Sequence, residues 1–161
     1  MELTEVRDVL EQTYQVNRAL IAGLSESEFA RKTPNPRWRV RQLAAHIAED
    51  DAGTLYVGKL LARGKNAKAP DFVINVANWW SLRKHRKATP ATLLAVLDRR
   101  HGELMAWLNT LQPEQLERGG EISQLGRLTL AEFLGQNSAH SREHAADICA
   151  AIGRQESPAG A

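Results

Sequence analysis

The stretch that decides the fold runs from residue 129 to residue 148 and reads Thr129-Leu-Ala-Glu-Phe-Leu-Gly-Gln-Asn-Ser-Ala-His140-Ser-Arg-Glu-His144-Ala-Ala-Asp-Ile148. A threonine followed three residues later by a glutamate is a capping box, which predicts that a long helix begins at this point. Each helical residue turns by about 100°, so His140 and His144 differ by only ~40° in direction. The apolar residues of the same sector are Leu130, Phe133, Ile148 and Ala151. We therefore expect both histidines to point inward, at the spacing that lets two imidazoles meet one metal ion.

Three further stretches repeat apolar residues at three- and four-residue steps, which is typical of amphipathic helices. The first ends near Gly23, the second runs from Arg39 to about Gly64, and the third starts at Thr89-Pro90, a cap followed by proline. Their stripes are Leu3, Val6, Leu10, Tyr14 and Ile21; Val40, Leu43, Ile47, Thr54 and Leu61; and Leu94, Leu97, His101, Leu104 and Leu108. No strand-like alternation competes with these helices, so the sequence predicts an all-α protein, an antiparallel four-helix bundle.

The length of 161 residues fits one helical domain, which we place at residues 1–152, followed by a flexible C-terminal tail at 153–161. An inserted helical segment is expected around residues 71–87, and it ends in the basic run Arg83-Lys-His-Arg-Lys87. This run is either the solvated end of a helix or a patch that attracts an anion or an acidic substrate to a site.

Composition excludes several classes of protein. The net charge is only +2, and lysine and arginine are divided almost evenly between the two halves of the chain, so nothing favours nucleic acid as a partner. The start lacks the features of a signal peptide, and no apolar run approaches the ~18 residues that a membrane span needs. The single cysteine, Cys149, cannot form an intrachain disulfide and fits a reducing compartment, so we expect a cytoplasmic protein.

A third histidine could complete a metal site. His46 lies on the edge of the second helical stripe, and together with His140 and His144 it would place three imidazoles on one side of an ion. The other side would stay open for water and substrate, which is the catalytic arrangement of zinc, although nickel, iron or copper would suit the same ligands. The alternative is that these are core histidines held by hydrogen bonds, and this is our interpretation of the inward-facing His101.

Two segments carry a resemblance to a known family: Trp38-Arg-Val-Arg-Gln-Leu-Ala-Ala-His46-Ile-Ala-Glu-Asp and Leu130-Ala-Glu-Phe-Leu-x(5)-His140-x(3)-His144-Ala-x-x-Ile148. They resemble the DinB/YfiT-like superfamily, which includes the N-terminal domain of mycothiol-dependent maleylpyruvate isomerase. The likeness implies a four-helix bundle, commonly dimeric, in which His46, His140 and His144 hold a divalent metal ion.

The chain also departs from that family in two places. Arg39 stands where the family usually has serine or threonine, whose hydroxyl would cap the second helix. The isomerase branch has a glutamate at the position of His140, so the isomerase reaction is not expected of this chain.

An open three-histidine ion can act as a Lewis acid or lower the pKa of a bound water or thiol. The resemblance therefore implies a small-molecule enzyme, either a hydrolase or a transferase that uses a low-molecular-weight thiol. Asp50, one turn beyond His46, is our candidate for the base, or else for a partner that orients an imidazole. Asn137 and Asp147 are further polar candidates, whereas Glu143 projects away from the stripe and is excluded.

Two other functions are compatible with the same residues. One is a metal-binding stress protein without turnover, and the other is a structural dimerising bundle in which the histidines have no role. The resemblance also implies a homodimer.

Overall fold

The computed structural model describes residues 1–35, 38–70, 72, 76, 79, 83–123 and 125–154. Its helices in chain order are α1 (Leu3–Ala22), the single-turn α2 (Glu26–Phe29), α3 (Val40–Leu61), α4 (Pro90–Leu108) and α5 (Leu130–Ile152). The four long helices confirm the predicted all-α four-helix bundle. No helix in these ranges combines the length and the hydropathy that crossing a membrane requires.

Side-chain caps fix where the helices begin. The hydroxyl oxygens of Ser25, Thr89 and Thr129 each accept a hydrogen bond from the backbone N–H three residues later, at 3.2 to 3.3 Å. Such caps satisfy amide groups that have no partner within the first helical turn. The predicted starts of the third and last long helices are therefore confirmed, and α1 ends directly before Gly23 as expected.

The bundle places α1 and α3 diagonally, since each of them packs against both α4 and α5. Most of the inserted helical segment predicted at 71–87 lies outside the described residues, as does most of the predicted tail. Within that insertion, Phe72, Val76 and Trp79 are exposed, and His85 is buried against the bundle. The single-domain boundaries stay a prediction.

A β-hairpin precedes α5, a small addition to the helical bundle that the sequence pattern did not indicate. Strand β1 (Gly119–Ile122) pairs antiparallel with β2 (Gly126–Thr129), and Gly119 lies opposite Thr129 in the register. Gly126 has a φ of +78° at the turn, a backbone conformation that glycine adopts without strain. The four-residue strands are too short, and too rich in glycine, to show the alternation by which strands are recognised.

The core consists of two apolar clusters with a polar layer between them. One cluster surrounds Phe29, Leu43 and Ile148, and the other surrounds Leu10, Leu104 and Leu130. Polar side chains of all four long helices lie at the level in between: Thr13, Asn17, Asp50, Asp51, Thr54, His101, Asn137, Ser138 and Ser141. This polar layer thus divides the apolar core into two parts.

Candidate metal centre

Three histidines from two helices come together at one edge of the bundle. His46 lies in the second turn of α3, and His140 and His144 occupy successive turns of α5, which packs against α3. Each ring offers one nitrogen such that all three atoms lie within 4.8 Å of one another. The Nε2 atoms of His140 and His144 are 3.0 Å apart. The structure thus brings together the three residues that the sequence singled out.

The expectation that both histidines of the pair point inward was wrong for His140. His140 is exposed, and His144 is half-buried like His46. The inner face of α5 is set by Ser141, Ala145 and Ile148, and the helix turn of about 100° per residue moves His140 to the rim. A position at the rim makes the cluster accessible from solvent.

Trp38 forms one wall of the cluster. Its ring centroid lies 5.2 Å from that of His46 in an edge-on arrangement and 5.9 Å from that of His144 in a stacked one. The carbonyl oxygen of Trp38 accepts hydrogen bonds from the N–H and the hydroxyl of Thr33, so the loop before α3 fixes its backbone. The indole therefore restricts how far two of the three imidazoles can rotate.

The surroundings of His46 and His144 favour the uncharged form of each imidazole. Burial, followed by the proximity of His144 and His140, lowers the pKa of His46 from 6.5 to about 4. Burial and His140 also lower the pKa of His144, although Asp147 and Glu143 act in the opposite direction. Neutral rings present the nitrogen lone pairs that metal ions require.

The donor set fits a divalent metal ion. Metal–nitrogen bonds of 2.0–2.1 Å in a tetrahedral site place two donors about 3.3 Å apart, close to the 3.0 Å between the two Nε2 atoms. Among the described residues, His144 Nδ1 is also buried without a hydrogen-bond partner, so this ring is held by packing rather than by a carboxylate.

A groove of about 490 Å³ opens beside His140. Its walls are formed by Ser123, Leu125, Phe133, Gln136, Asn137, Ala139, His140 and Glu143. Glu143, which the sequence analysis excluded from the site, therefore shares a groove with a candidate ligand. The exclusion assumed an inward-facing site, whereas a cluster at the rim has the outer face of α5 as its neighbour.

Asp50 occupies the polar layer instead of this groove. Its Oδ2 atom accepts a hydrogen bond of 3.0 Å from the side-chain amide of Asn137. Burial, and then the charge of Asp51, raise the pKa of Asp50 from 3.8 to about 7, although the bond from Asn137 lowers it. Because Asn137 lines both the groove and the small internal cavity next to Asp50, it connects this carboxyl group to the site.

His101 does not join the three histidines. Its Nδ1 atom lies 3.1 Å from Asp51 Oδ2 and its Nε2 atom 3.0 Å from Glu11 Oε2. The ring stacks on Tyr14, with centroids 4.0 Å apart. Burial lowers the pKa of His101, but the bonds to Asp51 and Glu11 outweigh it and raise the value above 6.5. His101 is thus a core histidine with both nitrogens satisfied, as the sequence analysis interpreted it.

Comparison with known proteins shows the family of this chain. The sequence model of the DinB superfamily matches residues 9–148 of the chain. The chain belongs to the DinB superfamily. No significant match was found among functionally curated proteins.

Two solved structures show how this DinB protein relates to others. YfiT from Bacillus subtilis, described as "a probable metal-dependent hydrolase with an unusual four-helix bundle topology", is 25% identical, with a TM-score of 0.77 over 95% of this chain and 89% of its own. The mycothiol-dependent maleylpyruvate isomerase is 14% identical, with a TM-score of 0.75 over 92% of this chain but only 61% of its own. The second likeness shows the shared fold alone.

Proposed function

We propose that His46, His140 and His144 hold one divalent metal ion and that the protein is a metal-dependent hydrolase of a small molecule. The observation that carries this proposal is the convergence of three imidazole nitrogens within 4.8 Å of one another, beside a groove that His140 lines. The likeness to YfiT, whose description names a metal-dependent hydrolase, supports it. A homodimer and a cytoplasmic location stay predictions.

The ion would supply Lewis acidity and would lower the pKa of a bound water or thiol. Zinc, nickel and iron all accept imidazole ligands, so the donor set leaves the metal open. The groove walls supply the remaining selectivity, because Leu125 and Phe133 give an apolar surface and Gln136 and Asn137 give amide groups. This combination suits a small molecule that carries both an apolar part and a hydrogen-bonding group.

Hydrolysis also needs an acceptor for the proton of the attacking water. Glu143 lines the groove beside His140 and is exposed, whereas Asp50 is enclosed in the polar layer. In this proposal Glu143 accepts the proton. In this proposal Asp50 is a positioning residue that fixes the amide of Asn137 at the inner wall of the groove, which differs from both of its predicted roles, the base and the partner of an imidazole.

The test is hydrolysis of a panel of small esters, amides and phosphoesters by protein loaded with Zn²⁺, Ni²⁺ or Fe²⁺. We expect turnover that depends on the metal, and a decrease of about 100-fold in kcat for Glu143→Gln with metal content unchanged. Glu117→Gln removes an equal charge from an exposed position outside the groove and serves as the matched control. Turnover that persists in metal-free protein would contradict the proposal.

The same panel separates the alternatives. A reaction that occurs only when a low-molecular-weight thiol such as cysteine is added would favour the thiol transferase over the hydrolase. One bound metal ion per chain without any turnover would favour a metal-binding protein that is not an enzyme. Protein that binds no metal at all would favour the structural bundle.

A further inference from the structure

A second cleft, separate from the histidine cluster, lies between α2, the start of α3 and the end of the basic run that precedes α4. It has a volume of about 290 Å³ and is lined by Phe29, Ala30, Arg39, Arg41, Gln42, Ala45, His85 and Arg86. None of the three candidate metal ligands lines it. Three arginines thus surround a space of small-molecule size, near the lower limit of typical ligand pockets.

Among the described residues, the three positive charges of this cleft face a single paired carboxylate. Arg41 pairs with Glu26 at 3.4 Å, and the Glu26 side chain is 65% exposed. An exposed pair at this distance contributes little and is easily exchanged for another anion.

The other nearby carboxylate, Glu49, is already used. Its oxygens accept hydrogen bonds from Lys84 at 3.0 Å, His85 at 2.9 Å and Arg100 at 2.9 Å. Burial raises the pKa of Glu49, but these three bonds outweigh it and hold the value at about 2. Within the basic run, Lys84 and His85 thus bind Glu49, whereas Arg86 lines the cleft with Arg39 and Arg41.

Arg41 is held in place for binding. Its guanidinium lies over the Phe29 ring, 5.4 Å from the centroid, and its Nη1 donates a hydrogen bond of 3.3 Å to the carbonyl oxygen of Arg86. Among the described residues, its Nε–H is buried and has no acceptor. A fixed planar guanidinium with donors to spare is suited to bidentate recognition of carboxylate or phosphate.

We infer that this cleft binds a small, doubly charged oxyanion, a dicarboxylate or a phosphate, between the guanidinium groups of Arg39, Arg41 and Arg86. The site is independent of the proposed metal centre, because it shares no lining residue with the histidine groove. An anion patch was one of the two interpretations of the basic run at 83–87, and this cleft is where we place it.

The experiment is an NMR titration of ¹⁵N-labelled, chelator-treated protein with malonate in one arm and inorganic phosphate in the other. Ionic strength is kept constant with NaCl, and the shifts of the Gln42 and Arg86 amides are followed. Saturable binding is expected in at least one arm, and the arm that binds more tightly identifies the class of anion. Arg41→Gln should weaken binding by about tenfold, since it removes charge-assisted hydrogen bonds.

Two further variants make the result decisive. Arg86→Gln changes an exposed residue of the same cleft and should also weaken binding, whereas Arg127→Gln removes the same charge from an exposed position on β2 and should not. An equal loss in all three variants would show general attraction to a basic protein and would overturn the inference. The absence of saturable binding in both arms would overturn it as well. Because the protein is metal-free, neither outcome depends on the proposed hydrolase activity.

Discussion

The histidines of this bundle differ in what surrounds them more than in where they lie along their helices. His46, His140 and His144 have one another and Trp38 as neighbours, and burial lowers the pKa of two of them. His101 lies between Glu11 and Asp51, and its pKa is raised. The first environment favours neutral rings at His46 and His144, and the second engages both nitrogens of His101 in ion pairs.

This difference shows that burial and helical spacing alone do not identify a metal ligand. A buried imidazole flanked by carboxylates is stabilised as a cation and cannot bind a metal at the same nitrogens. An imidazole flanked by other imidazoles has no such compensation and is suited to a shared cation. The two groups should therefore respond in opposite ways to mutation, pH and metal.

The largest effect is expected from replacing His101. His101→Leu replaces the imidazole by an apolar side chain of similar size and leaves Asp51 without its partner in the polar layer. We therefore expect the free energy of unfolding to decrease by about 4 kcal/mol. Because the folded pKa is raised above 6.5, the loss should be complete below pH 6.5 and should decrease as pH rises through the folded value. Urea unfolding of the variant and of wild type at pH 6 and pH 9 measures the loss of stability and its pH dependence. A loss that is independent of pH would contradict the ion-pair account.

Asp50→Asn should increase the free energy of unfolding, whereas His101→Leu should decrease it. The folded carboxyl group has its pKa raised to about 7, so wild-type stability should fall as pH rises from about 4 to about 7, where the buried group ionises. Asparagine stays neutral, and the variant should be more stable than wild type by about 3 kcal/mol at pH 8 and nearly equal to it at pH 4. Thermal unfolding at the two pH values tests this. A variant that is less stable at pH 8 would show that the carboxylate is needed.

Trp38→Ala should weaken metal binding while leaving all three ligands in place. The indole restrains the rings of His46 and His144, so its removal should lower the affinity for Zn²⁺ by about tenfold. Competition with a chelating dye measures the affinity. Trp107→Ala alters a tryptophan that contacts Gly58 in the other apolar cluster and serves as the control. Equal affinities of Trp38→Ala and wild type would contradict the supporting role.

The smallest effect is expected from His140→Ala in metal-free protein. His140 is exposed, so its loss should change the free energy of unfolding by less than about 0.5 kcal/mol. The measurement is urea unfolding in the presence of a chelator. A loss comparable to that of His101→Leu would mean that the rim histidines, too, are structural.

Much of the helical fold could be predicted, because apolar spacing and capping residues are local signals. Thr89 and Thr129 marked the starts of two helices, and Gly23 marked an end. The hairpin at 119–129 could not be predicted, because a pair of four-residue strands depends on the long helices beside it more than on its own sequence pattern. The polar layer did leave a signal: Asn17, Asp50, His101 and Ser141 interrupt the apolar sectors at a matching height in each helix.

The sequence predicted which residues form the candidate site but not that the site lies at the rim of the bundle. Spacing selected His46, His140 and His144, yet it placed the pair at the interior and so rejected Glu143. Neighbouring residues of a helix differ by about 100° in direction, so a shift of one residue decides between the core and the rim. Which face of α5 is buried depends on α1 and α3 together, and no single stretch of sequence contains that information.

The most direct test of the metal centre is a calorimetric titration with Zn²⁺ and Ni²⁺ of wild type, His46→Ala, His140→Ala, His144→Ala and His101→Leu. The account predicts one ion per chain for wild type and for His101→Leu, and at least 100-fold weaker binding for each of the other three variants. Wild-type protein that binds neither ion, or binding that survives the loss of any of the three rim histidines unchanged, would contradict it.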